Sequence, residues 1–111
     1  MSVSGARRAI PMALLNDEIT LLVPTVSGYD AVEIYNVRVQ QTSAVREYNS
    51  TAVRDISQLT VYYDCENSSP QGVEFAAGMT LSFAGRRYEI ISAAQFAAES
   101  LHHVKITARA V

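Results

Sequence analysis

The sequence predicts a mainly β protein: a single small antiparallel barrel of about six strands, with a long mobile loop and a flexible N-terminal arm. Short runs rich in β-branched and aromatic residues recur at close intervals, and Gly, Pro, Asn, Asp and Ser punctuate the gaps between them. At 111 residues, 49% hydrophobic and 18% charged, the chain has the length of one domain and the composition of one with a packed core. Closure into a barrel also removes the exposed sheet edges that a short open sheet would leave for aggregation.

Residues 1–12, at the start of the chain, mix small and polar residues with Arg7, Arg8 and Pro11, and read as a flexible arm. Asp17–Val23 (DEITLLV) is a strand stopped by Pro24, and a loop runs from there to Gly28. Tyr29–Gln41 is the longest strand, and its apolar phase changes midway. Val32 and Ile34 share one parity while Val37 and Val39 share the other, so a straight strand would send the two pairs to opposite faces. A bulge near Tyr35-Asn36 would reset the phase and bend the strand where a small barrel turns a corner. Residues 42–57 are polar and are expected to form a long mobile loop, or an insertion that orders only against a partner. Gln58–Asp64 is a strand with Leu59, Val61 and Tyr63 on one face, and Cys65–Gly72 is a turn region. Thr80–Phe83, the turn Ala84-Gly85-Arg86 and Arg87–Ser92 give the strongest hairpin signal. Residues 96–99 read as an alanine-rich connector. From His102 to Val111 the chain alternates, with Val104, Ile106, Ala108 and Ala110 facing one way.

Charge and cysteine usage exclude several classes of function. The net charge is −2, and the basic residues form no block beyond the pairs Arg7-Arg8 and Arg86-Arg87, so the electrostatic footprint of a nucleic-acid binder is missing. Cys65 is the single cysteine and forms no internal disulfide. The longest apolar runs, near Ile19–Val23 and Ile90–Ala94, fall far short of the roughly 20 residues of a membrane-spanning helix. No apolar stretch of signal-peptide length comes after Arg7-Arg8, so the chain is expected to stay in the cytoplasm where it is made or to be built into something larger.

The chemically richest stretch is VYYDCENSSPQG, from Val61 to Gly72. Asp64, Cys65 and Glu66 are consecutive, and consecutive residues of an extended chain point apart, so they do not converge as ligands. A Cys65 nucleophile would need a histidine base, and the two histidines, His102 and His103, stand at the start of the last strand with no spacing that signals a dyad. Adjacent histidines on a strand also diverge, which disfavours a shared metal. Gly85-Arg86-Arg87 lacks the glycine-rich strand-to-helix context of a phosphate loop, and Gly85 is expected to supply a positive φ to a hairpin turn. The six tyrosines lack the flanking positive charge of a base-stacking surface and suit half-buried strand positions. Asp64, Asn67 and Ser68 have short side chains that bond to nearby backbone amides, and with Pro70 they account for a turn without any substrate. No catalytic, cofactor-binding or metal-ligating residue is assigned.

The stretches LTVYYDCENSSP, GMTLSFAGRRYEIISA and HHVKI, taken in order, resemble the small minor capsid proteins of tailed bacteriophages and prophages, encoded in the head-to-tail connection cluster. The residues that carry the resemblance are Tyr62, Tyr63 and Asp64; Asn67, Ser68 and Pro70; Gly78, Gly85 and Tyr88; and His102 with His103. YNVRVQQT, from Tyr35 to Thr42, resembles the family's second strand, so the likeness runs from about Tyr35 to the end. Met79 and Val104 depart from the pattern, where an acidic and an aromatic residue are usual. The resemblance implies a virion structural protein and no enzyme: a head-completion or stopper barrel at the head–tail interface, assembled in the bacterial host cytoplasm. Copies would form a ring below the portal, close the channel after DNA packaging, touch the packaged DNA only passively and dock the tail. Its partners would be portal or adaptor and tail proteins, with no membrane contact and no cofactor. A tail-completion or tail-terminator protein of the same particle is the alternative, and a generic binding barrel a further one.

Overall fold

In the computed structural model, residues 14–48, 53–97 and 101–111 are described. They form six strands: β1 (Asp17–Thr25), β2 (Gly28–Tyr48), β3 (Val53–Asp64), β4 (Thr80–Phe83), β5 (Arg86–Ala97) and β6 (Leu101–Ala110). Every pairing is antiparallel, and the strands close into a barrel in the order β1-β2-β3-β6-β5-β4. The expected mainly β barrel is therefore the observed architecture.

Alternation builds the interior. Ile19 and Leu21 of β1, Ile34 and Val37 of β2, and Leu59, Val61 and Tyr63 of β3 all point inward. They meet Leu81 of β4, Tyr88 and Ile90 of β5, and Val104, Ile106 and Ala108 of β6. Tyr88 closes one side of this core, and the Arg86 guanidinium lies 5.8 Å from its ring centre.

The phase change in β2 resolves as the expected bulge. Glu18 pairs with Tyr35 while Asp17 pairs with Val37, so Asn36 is the extra residue. Its φ is 59°, in the left-handed region that asparagine tolerates better than most residues. The insertion puts Ile34 and Val37, three apart in sequence, on the same inner face, both fully buried. Just beyond it, the Asp17 carboxylate accepts the Val39 N–H at 2.9 Å and so anchors the start of β1.

Three boundaries differ from the sequence reading. The stretch 42–57 is not a loop over its described part. β2 continues to Tyr48 and β3 begins at Val53, with Thr42 opposite Gln58 and Tyr48 opposite Val53, so the two strands extend as a paired ribbon; residues 49–52 lie outside the described residues. Polar composition conceals such a ribbon, because ladder hydrogen bonds are made by the backbone and leave no mark on side-chain polarity. The alanine-rich connector is likewise strand in part, since β5 runs to Ala97 opposite Leu101. β1 extends through Pro24 to Thr25, before a turn at Val26-Ser27. Pro24 fits there because β4 bonds β1 only at Thr20–Leu22, so among the described residues no strand on that edge calls for the N–H that proline lacks. The N-terminal arm lies outside the described residues.

The β4–β5 hairpin turns through Ala84 and Gly85, with Phe83 opposite Arg86. Their φ values, 52° and 80°, are both positive, as the two-residue turn matching strand twist demands.

Candidate functional site

β3 ends at Asp64, whose side chain is fully buried and organises the turn after it. Its Oδ1 accepts the N–H groups of Glu66 at 2.8 Å and Asn67 at 3.0 Å. Its own N–H donates to the Ser68 hydroxyl at 2.9 Å, and its carbonyl accepts the Ser68 N–H at the same distance. The bond between the Asp64 N–H and the Ser68 hydroxyl is buried, so it pairs groups that water does not reach. The Ser68 hydroxyl in turn donates to the carbonyl of Asn36, the bulge residue of β2. Tyr35 and Ser69 exchange two backbone hydrogen bonds, at 2.7 and 3.0 Å. The turn that sequence alone explains locally is thus clamped onto the β2 bulge. The clamp joins segments more than thirty positions apart, which no local turn signal discloses.

The remaining motif residues extend this barrel end. Tyr63 is buried, and its hydroxyl donates to the Pro70 carbonyl at 2.6 Å. The same oxygen accepts the Val73 N–H at 3.4 Å, and the ring meets Phe75 edge-on at a centroid distance of 5.2 Å. Burial is the main cause of a raised Tyr63 pKa, the neutral phenol being the form a buried site favours. Ser69-Pro70 is a cis peptide. His103 stands opposite Asp64 across the β3–β6 ladder, and its ring lies 6.3 Å from that of Tyr62. The backbone of His102 belongs to β6; its side chain lies outside the described residues. Gly85 and Tyr88 belong to the β4–β5 hairpin rather than to this end.

Cys65 lies half-buried beside the Asp64 turn, a free thiol. Burial, and then the negative charges of Asp64 and Glu66, push its pKa up. A thiolate nucleophile requires the opposite displacement. The thiol lines a cavity of about 440 Å³ with Tyr63, Val73, Phe75, Ala93 and Val104. A second hollow, of about 380 Å³, lies on the outer side of the β1–β2 and β4–β5 pairs, with Glu18, Glu33 and Tyr35 in its wall. No group of three or more His, Cys, Asp or Glu side chains that could hold a metal is found among the described residues, and none of their helices is long and apolar enough to cross a membrane.

Sequence reasoning missed Asn36, Val73 and Phe75 as parts of this end. The parity reset in β2 located the bulge but not the segment that docks on it. Val73 and Phe75 alternate, yet they stand in a segment with no ladder, and so carried no strand signal.

Comparisons of the chain with family models, with curated proteins and with solved structures find no match.

Proposed function

We propose that this chain is a structural subunit of the head–tail connection of a tailed bacteriophage, a head-completion or stopper protein. It forms a ring below the portal, closes the DNA channel and presents a surface to the tail. The observation that carries this reading is where its motif residues fall. Tyr63, Asp64, Asn67, Ser68 and Pro70, which carry the resemblance, are spent on one cross-linked turn at a barrel end, not on an open polar site. A ring subunit gains from that rigidity, because a preorganised docking surface loses less freedom on assembly. The β2–β3 ribbon and the β5–β6 hairpin supply extended strands for contact between subunits. The net charge of −2 suits a channel that lets DNA pass without gripping it.

Deleting the gene from a phage or prophage that carries it and imaging the particles tests the reading. Tailless heads that have lost their DNA are expected. Normal infectious particles would refute it, and sealed, full heads beside tails of abnormal length would move the protein to the tail-terminator role.

A further inference from the structure

We propose that the groove between β5 and residues 72–75 binds an extended segment of a partner protein, which adds as a strand to the open edge of β5 in the lane a longer β4 would occupy. The basis is an imbalance in pairing. β6 accompanies β5 from Tyr88 to Ala97, but β4 accompanies it only from Arg86 to Glu89. Two further backbone bonds, Gly78 N–H to the Ile90 carbonyl and Ile90 N–H to the Met79 carbonyl, both at the start of that lane, end the pairing. Beyond Ile90, among the described residues, no backbone hydrogen bond reaches β5 from the β4 side. The chain before β4 crosses this end as irregular backbone, and the cavity of about 440 Å³ separates Val73 and Phe75 from Ala93 and Gln95 of β5.

Among the described residues that edge carries neither a charge nor a proline to blunt it: from Ile90 to Ala97 the sequence is IISAAQFA. The bulge at Ile91 lies at its start, and the ladder with β6 is regular from Ser92 to Phe96. One wall of the groove is therefore main chain whose donors and acceptors have no partner among the described residues, which a polypeptide strand satisfies and a compact small molecule does not. The other walls fix the chemistry of that strand. Val73, Phe75, Ala93 and Val104 call for β-branched or small apolar side chains at alternate positions. Among the described residues of the lining Glu74 is the one that carries a charge, so the strand carries a Lys or Arg to meet it. This does not rest on the phage reading: a partner strand could dock here in any assembly.

The probe is a display library of random octapeptides, selected on the full chain immobilised by an end tag. Selected peptides are expected to alternate apolar residues around a Lys or Arg, to slow alkylation of Cys65, and to protect the amides of Ala93 and Gln95 from hydrogen exchange. Glu74→Lys, at an exposed position, is expected to weaken them about fivefold while leaving the melting temperature unchanged. Peptides that bind but leave Cys65 and the β5 amides untouched would overturn the proposal, as would a selection that yields none. Protection of those amides in the free protein would overturn it too: if independent of protein concentration, the chain itself fills the lane; if rising with concentration, a second copy does.

Discussion

At the scale of single residues, Asp64 and Tyr63 hold most of the structural weight of this barrel end. Asp64→Ala would remove the acceptor of the partly exposed N–H groups of Glu66 and Asn67, at a cost of about 0.5–1.5 kcal/mol for each bond. Asp64→Asn keeps a carbonyl oxygen at the Oδ1 position and should lose less; urea unfolding of the two variants measures both. Tyr63 makes a pH-dependent contribution whose sign comes from burial. Its native pKa lies above the ordinary 10.0, so on raising the pH the unfolded chain gives up this proton first. The associated stability is complete below pH 10 or so and is lost as the pH climbs through the native value. Tyr63→Phe should remove that share of the alkaline decline, and should cost about 1 kcal/mol at neutral pH for the bond to Pro70. Denaturation midpoints of the two proteins across pH 8 to 11 would show a difference that narrows with rising pH; a constant difference would contradict the assignment. The raised pKa of Cys65 gives a chemical counterpart, since iodoacetamide at neutral pH should label it more slowly than free cysteine.

At the scale of elements, the two left-handed residues other than glycine among the described residues define where the chain could be improved and where it could not. Ala84 occupies the first position of a two-residue hairpin turn at φ 52°, where a Cβ is unfavourable. Ala84→Gly should stabilise the fold by about 0.5–1 kcal/mol, read as a rise in melting temperature, since the turn is exposed and no packing is lost. Asn36 is the converse: Asn36→Val places a β-branched residue at φ 59° in the bulge and should destabilise by about 1–2 kcal/mol. This contrast also marks how much was legible in the sequence. The β4–β5 hairpin and the β2 bulge could be placed because each leaves a local trace: a glycine between two short strands, and a change of parity between Ile34 and Val37. The β2–β3 ribbon left none. Its pairing from Val45 to Tyr48 against Val53 to Ile56 is made by the backbone, and backbone bonds do not write a pattern into side-chain polarity. The turn at Asp64 was half legible: its bonds to Glu66 and Asn67 come from residue type, but the bond from Ser68 to Asn36 depends on a bulge brought close only by closure.

At the scale of the whole molecule, closure itself is the weakest joint. β2 and β3 are paired from Val37 to Tyr48, and β6 lies along β3 from Gln58 to Asp64. The barrel is completed only by β4, four residues long, which meets β1 at Thr20–Leu22 and β5 at Arg86–Glu89. Sequence could anticipate six strands and hence closure as the way to dispose of edges, but it could not show that one strand would be too short to cover its neighbours. That shortness leaves the β5 edge beyond Ile90 without a partner among the described residues, and it makes the seam the cheapest place to open the sheet. Local openings in a folded protein run along the contacts that hold least. Leu21 and Leu81 face each other across the seam, and both are fully buried. Leu81→Ala should therefore cost about 2–5 kcal/mol globally. Native-state hydrogen exchange should resolve two openings in the unaltered protein. The amides of β4 and Thr20–Leu22 would exchange through a smaller, low-energy one, while those of Leu59, Val61 and Ile106 exchange only on global unfolding. Equal free energies for both sets would mean that the barrel opens as a unit, and that β4 is as firmly bound as the long strands despite its length.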